Sequence, residues 1–307
     1  MKTVITGPTG SIGANLIIRL LEKPENEIWA ICNPSSTRVN LLPKDDRLHI
    51  IYCDIHFLDT CIDLLPPKLD TFIHLGWCGT GSARRNTEIQ LENINCYRQA
   101  INVAKALGCN TFVGAGSQAE YGQKSVPITE DMCCNPETAY GVTKLAVNHI
   151  SALLCREAGI RFIWPRYFSI YGPYENFSSL TSSTIIKYLN KETPDFTEGI
   201  QIWDYAYAGD AALAVTALIE NTSCSGIYNI SSGRRRPLRD YITEIAKLCG
   251  AECVGNFGSI PYTSDSVMYL CGDISKLKKD TGCMMDTPFD IGIAHMIDWI
   301  KSVIQPC

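Results

Sequence analysis

Short apolar runs alternate along this chain with stretches whose apolar residues recur every three or four positions. KTVITG (residues 2–7), EIWAIC (27–32), LHIIYCDI (48–55), DTFIHLG (70–76), TFVGAGS (111–117) and RFIWPRYFSIYG (161–172) read as strands. Near-continuous apolar strands are buried on both faces, which predicts a parallel sheet. Between them, ANLIIRLLEK (14–23), NINCYRQAINVAKALG (93–108) and residues 135–159 carry helical periodicity. Strand and helix in alternation predict a doubly wound parallel sheet whose ligands sit beyond the carboxyl ends of its strands.

After Gly172 the rhythm breaks. Residues 173–205 are polar with one short helix, GDAALAVTALIE (209–220) is helical, and GIYNISSG (226–233) is a strand able to rejoin the sheet. The chain is therefore expected to divide into a sheet domain over 1–172, with 207–235 returning to it, and a smaller, mostly C-terminal substrate lobe over 173–206 and 236–307.

Composition narrows the class. A net charge of −5, with 46% hydrophobic and 19% charged residues, describes an ordinary globular protein and argues against nucleic acid as a partner. No apolar run approaches the roughly 20 residues that span a bilayer, so no membrane association is expected. MKTVITG enters a strand directly, which predicts no signal peptide and a cytoplasmic protein. The 15 cysteines include no CxxC and share no metal-type spacing with the five histidines, so reduced, space-filling thiols are expected, and no metal site.

The first turn carries the clearest chemistry. VITGPTGSIGANL places Gly7, Gly10 and Gly13 between a strand and a helix, where glycine permits a tight turn, approach to a pyrophosphate and close packing. The helix start adds free N–H groups and positive potential, so a dinucleotide site outweighs a merely structural turn. An NAD-selective site wants an acid near the end of the second strand. Here the sequence reads ICNPSSTRVN, with Asn33, Ser35, Ser36 and Arg38 instead. Hydroxyls and a guanidinium suit a 2′-phosphate, so NADP(H) is favoured over NAD(H), although a solvated loop fits the same residues. Asp54, ending the third strand, is placed to receive the adenine amino group.

In NPETAYGVTKLAV (135–147), Tyr140 and Lys144 stand one helical turn apart and share a face. A nearby ammonium favours tyrosinate, so the pair reads as an acid/base couple as well as an ordinary i,i+4 pair.

Taken together, six segments resemble the extended short-chain dehydrogenase/reductase family, which contains nucleotide-sugar epimerases, dehydratases and 4-ketoreductases. TGPTGSIG is similar to its TGxxGxxG loop, FIHLGW to its fourth strand and SQAEYG to its serine-bearing strand end. YGVTK is similar to its catalytic pair, PRYFSIYGP to RxFNxYGP and WDYAYAGDAA to RDYxxVxDxA. The resemblance covers essentially the whole chain. It implies a Rossmann-type fold, with Ser117, Tyr140 and Lys144 catalytic. Cofactor residues would be Gly7, Gly10, Ser11, Ile12, Gly13, Asp54, Ile55, Leu75, Gly76, Trp77, Asn93, Tyr167 and Phe168, with Lys144 also on the nicotinamide ribose. A satisfied polar residue of its helix is the lesser alternative for Asn93. The resemblance further implies a nucleotide-sugar substrate and a homodimer formed through the helices starting near Asn93 and Asn135.

Departures from the family pattern bear on the reaction. Where dehydratases of that family carry Asp-Glu, this chain has Gln118 and Ala119, and no acid is present to protonate a leaving hydroxyl. Ser169 replaces the asparagine of RxFNxYGP, and Trp203 replaces the diphosphate-gripping arginine of RDY. Arg234 or Arg235 would then supply an anion clamp, or simply a solvated basic turn. Trp203 stacks on a base or joins the core, and Thr80 and Gln118 complete the expected substrate wall. The leading expectation is an NADPH-dependent reductase of a 4-keto nucleotide sugar. An NAD-dependent 4-epimerase is the alternative, and a non-catalytic dinucleotide sensor is the reading from another class.

Overall fold

The computed structural model describes residues 1–263 and 266–304. The apolar runs become β1 (Lys2–Thr6), β2 (Glu27–Cys32), β3 (Leu48–Tyr52), β4 (Thr71–His74), β5 (Thr111–Val113), β6 (Gly116–Ser117) and β7 (Arg161–Tyr167). With the strand Gly226–Ile230 they form one sheet, ordered Gly226–Ile230, β7, β5, β4, β1, β2, β3, while β6 continues alongside β7. Each of these pairings is parallel.

The helices are α1 (Ser11–Leu21), α2 (Ile89–Ala106), α3 (Ala139–Ala158), α4 (Leu180–Leu189), α5 (Ala208–Glu220), α6 (Leu238–Leu248), α7 (Ser275–Thr281) and α8 (Phe289–Ile304). On one face of the sheet α1 and α5 bury Leu16, Ile17, Leu20, Val215 and Leu218 against Ile5 and Ile73. On the other, α2 and α3 bury Ala100, Ile101 and Val147 against Val4, Phe72, Phe112 and Trp164. Each fully buried aliphatic or aromatic side chain contributes about 1.5–3 kcal/mol, which is why strands apolar on both sides are the ones that end up central. A smaller C-terminal lobe packs α4, α6 and α8 around Ile185, Ile245, Ile293, Met296 and Ile300.

Two predicted strands prove to be broken. TFVGAGS stops at Val113 and resumes at Gly116, because Trp164 presses on the backbone between: a Cβ on Gly114 would lie 2.3 Å from its ring. RFIWPRYFSIYG leaves the sheet after Tyr167, and Ser169–Tyr171 pairs instead with Tyr205–Tyr207 toward the lobe. The helix expected from Asn135 begins at Ala139: Pro136 disfavours helical backbone at Asn135, and the Thr138 hydroxyl caps the helix by accepting from Gly141 N at 3.1 Å.

The sheet order sets the position of the site. β2 lies on one side of β1 and β4 on the other, so the winding reverses there and opens a crevice beyond their carboxyl ends.

Candidate functional site

The crevice floor is the turn between β1 and α1. Gly7 has φ +67°, and a Cβ there would lie 2.8 Å from Gly76 N and 2.9 Å from the Leu75 carbonyl carbon. A Cβ on Gly13 would lie 2.4 Å from the Gly7 carbonyl oxygen, so α1 seats directly on the turn. Gly10 differs: a Cβ there would meet only Gly7 O, at 3.8 Å. It caps α1 without a side chain and leaves open space over the first N–H groups. This is the cradle a pyrophosphate needs, and the residues present fit a dinucleotide. Ile12 packs into the core below, while the Ser11 hydroxyl donates to Pro173 O at 2.9 Å, tying the turn to the start of the lobe.

Leu75 and Gly76 form the opposite wall, with Gly76 N donating to the Thr6 hydroxyl at 3.1 Å. Asn93 is fully buried and clamps the next turn, accepting from Cys78 N at 2.7 Å and donating to Cys78 O at 3.1 Å. Its remaining contacts are to α2 carbonyls, so it shapes the cofactor side through the Cys78 loop. Asp54 caps the turn after β3, accepting from His56 N at 3.0 Å, and Ile55 follows it under Gly76. Tyr167 and Phe168 line the end of β7, and the buried Tyr167 hydroxyl has no hydrogen-bond partner among the described residues.

Ser117, Tyr140 and Lys144 converge at this crevice from the end of β6 and the first turn and a half of α3. Gly141 makes that approach possible, since a Cβ there would lie 2.5 Å from Ala119 O. Burial pushes the Tyr140 phenol up, while a hydrogen bond from Ser117 and the positive charge of Arg85 pull it back. The lysine behaves differently from expectation. Its ammonium lies 3.5 Å from the Trp77 ring centroid, donates to Ala115 O at 2.6 Å and stands 5.6 Å from the Tyr140 ring. Burial brings its pKa down to about 7, and the influences on the phenol are burial, Ser117 and Arg85 before any from this lysine.

That depression has a measurable sign. Between about pH 7 and pH 10.5 the unfolded chain holds a proton on Lys144 that the folded chain sheds, so this group adds stability as pH rises. Buried thiols such as Cys32, Cys109 and Cys155, whose pKa values burial raises, act with the opposite sign over the same range, so the Lys144 contribution is read as a difference: the urea stability of wild type should rise relative to that of Lys144→Met across the window. A difference that does not change with pH excludes the Lys144 contribution.

Arg85 escaped the sequence reading. Its carbonyl accepts from Tyr140 N at 2.8 Å and its guanidinium lies 5.0 Å from the Tyr140 ring centroid. With Gln118, Glu137, Thr138 and Tyr269 it lines a cavity of about 190 Å³ next to Tyr140. The exposed Thr80 sits at its edge through a 3.5 Å contact from Arg85 Nε to Thr80 O. Arg234 and Arg235 line a second cavity of about 450 Å³ together with Lys278. Arg235 donates to the Tyr269 hydroxyl at 2.7 Å, which joins the two spaces, and Arg234 donates to Asp286 O at 2.9 Å. Asp204 also went unnoticed: buried, it accepts from Ser231 Oγ at 2.6 Å, Ser232 N at 3.1 Å and Gly233 N at 2.9 Å, holding the loop that presents both arginines. Ser169 is half-buried in its short strand, and Trp203 packs among Phe196, Leu238 and Ile242.

Comparison with known proteins adds the following. A curated ADP-L-glycero-D-manno-heptose-6-epimerase of Nitratidesulfovibrio vulgaris is 23% identical, covering 84% of each chain. An uncharacterized UDP-glucose epimerase of Bacillus subtilis is 24% identical, covering 99% of each. Among solved structures, the UDP-glucuronic acid 4-epimerase of Bacillus cereus in complex with NAD superposes with TM-score 0.87 at 23% identity, covering 100% of this chain and 99% of that one. The UDP-glucose 4-epimerase of Thermotoga maritima, with UDP-glucose, gives 0.88 at 20% identity over 99% and 100%. Both confirm the fold.

Two expectations are thereby corrected, namely NADP(H) as cofactor and reduction of a 4-keto sugar as reaction. These relatives are epimerases, and the dinucleotide named with the similar structures is NAD. The geometry supplies the physical reason. Arg38, expected on a 2′-phosphate, turns its guanidinium away to donate to Tyr174 O at 2.6 Å. Asn33 accepts from Ser35 N at 2.9 Å and donates to Asp54 at 3.0 Å, while Ser36 Oγ faces Arg38 N at 3.4 Å. The loop read as a phosphate pocket is thus closed on itself. With its model matched over residues 3–231, the chain belongs to the NAD dependent epimerase/dehydratase family.

Proposed function

We propose that the protein is an NAD-dependent nucleotide-sugar 4-epimerase. The observation that carries this reading is the convergence of Ser117 and Tyr140 on a glycine-lined crevice, with Arg38, the cation expected on a 2′-phosphate, turned instead to the Tyr174 carbonyl. Gln118 and Ala119 carry no acid where a dehydration requires one, and Glu120, next in the turn, is buried against Arg166 and Trp164. When bound, NAD supplies a reversible hydride acceptor and a positively charged ring. Tyr140 Oη takes the proton of the sugar hydroxyl and later returns it, with the Ser117 hydroxyl holding that same oxygen in place. Lys144, held by the Ala115 carbonyl over the Trp77 ring, would be the residue to bind the ribose hydroxyls of the dinucleotide. Arg234, Arg235 and Lys278 supply positive charge for a nucleotide diphosphate along the wall of the larger cavity. A complete proton-transfer set is superfluous in a dinucleotide sensor, so an enzyme is the better reading.

The test combines two measurements. Denatured protein is expected to release NAD in stoichiometric amount, identified by mass spectrometry, and intact protein should convert UDP-glucose or UDP-glucuronic acid to its C4 epimer without net reduction of added dinucleotide. Release of NADP, or no epimer from any UDP-hexose tried, rejects the reading.

No helix among the described residues is long and apolar enough to cross a membrane. A cytoplasmic location fits that, and we infer a homodimer through α2 and α3, which pack together and expose Leu91, Val142 and Leu153. Light scattering on the purified protein decides the dimer.

A further inference from the structure

Linear spacing conceals one cluster that the fold assembles. Among the described residues, His56 on the turn after β3, Cys78 on the loop after β4 and Cys96 on α2 bring their ligand atoms within 4.8 Å of one another. His56 Nε2 lies 3.6 Å from Cys78 Sγ and 3.0 Å from Glu92 Oε2. Glu92 stands one turn before Cys96 on α2, so the two share a helix face.

We propose that these four side chains form a zinc site, with Cys78, Cys96 and His56 as ligands and Glu92 closing the coordination sphere. The distances suit that ion. Zinc bonds of about 2.3 Å to sulfur and 2.0–2.1 Å to nitrogen, at the tetrahedral angle, place the two donors about 3.5 Å apart. Thiolate donors exclude magnesium and calcium, which take oxygen, and a mixed sulfur, nitrogen and carboxylate set suits zinc.

The surroundings support a built site. His56 Nδ1 lies 2.6 Å from Asp54 Oδ1, the carboxylate–imidazole arrangement that aims the other ring nitrogen at a metal. Asn33 Nδ2 in turn holds the second oxygen of Asp54 at 3.0 Å. The backbone of His56 is fixed by Gln99 Nε2 at 2.8 Å, and that of Cys78 by both ends of the Asn93 amide. Cys96 is fully buried, His56 is about a third exposed and Glu92 about half, which leaves an entry path on the Glu92 side. An ion here would pin the turn after β3, the loop after β4 and α2 together at the Asp54 edge of the crevice. The inference stands independently of the sugar the enzyme accepts.

The test is cobalt titration of metal-stripped, full-length protein kept reduced with a phosphine. One equivalent of Co²⁺ should produce a thiolate-to-cobalt charge-transfer band with tetrahedral d–d absorption, bleached by Zn²⁺. Cys78→Ser and His56→Gln, both on the accessible side, should weaken the band and lower affinity by at least tenfold, whereas Cys133→Ser, an exposed cysteine outside the cluster, should change neither. Asp54→Asn should keep the band and lower affinity about 10–100-fold. Zinc should raise the unfolding temperature of the wild type and of Cys133→Ser, and at the same zinc concentration by less in Cys78→Ser and His56→Gln. Absence of the band, or a band of undiminished intensity and affinity in Cys78→Ser and His56→Gln, overturns the proposal.

Discussion

Tyr140→Phe should lower epimerase turnover by about 10²–10⁴-fold while the purified protein still carries its dinucleotide. Among the described residues the phenol lies at the crevice with the Ser117 hydroxyl bonded to it, while Lys144 is held by the Ala115 carbonyl and the Glu120 carboxylate behind Ser117 is taken up by Arg166 and Trp164. Removing the hydroxyl leaves the ring, and with it the edge-on contact to Trp77 at 5.8 Å, so folding should be preserved. The checks are steady-state rates on a UDP-hexose and dinucleotide released on denaturation. A variant within a few-fold of wild type would remove Tyr140 from the chemistry. Loss of both turnover and dinucleotide would mean that the side chain shapes the cofactor site instead.

Glu120→Ala should cost about 3–5 kcal/mol of stability, read as a fall in the urea midpoint followed by far-UV circular dichroism. The Glu120 carboxylate is wholly buried and receives Arg166 Nε at 2.7 Å, Trp164 Nε1 at 3.0 Å and Ser117 N at 2.8 Å. Its removal strands the guanidinium of Arg166, itself 2% exposed, away from solvent. The same carboxylate is one half of a capping box at Ser117, so turnover should fall with stability. Glu120 therefore acts from behind the site, holding the strand end that presents Ser117. A midpoint shift worth less than about 1 kcal/mol would show that Arg166 finds water or another acid.

Much of the architecture is legible in the sequence. Apolar runs at Val4–Ile5, Phe72–Ile73 and Phe112–Val113 mark strands covered on both faces, and these are the central strands β1, β4 and β5. Burial on two sides leaves a local imprint in sequence, as does the turn that needs Gly7 at positive φ. Strand ends were less legible. The break at Gly114 depends on the Trp164 ring, which belongs to another strand.

The candidate site divides in the same manner. The Tyr140–Lys144 pair was readable because the two lie a helical turn apart, a relation set by local geometry, whereas Ser117 was expected only from the resemblance of SQAEYG to the family's strand end. The cofactor reading failed at Arg38, whose charge and position suggested a phosphate. Its actual partner, the Tyr174 carbonyl, is 136 residues away and is brought there by the lobe. Lys144 shows the same limit: the sequence places it beside Tyr140, while burial over the Trp77 ring, set by the tertiary fold, lowers its pKa.

Periodicity and turn chemistry are properties of neighbouring residues, so strands, helices, the glycine cradle and the tyrosine–lysine spacing follow from the chain alone. Hydrogen-bond partners, burial of a charge and the meeting of His56, Cys78 and Cys96 depend on which strands become neighbours and which helix covers them. Those are long-range pairings with no local imprint, and only the tertiary structure decided them.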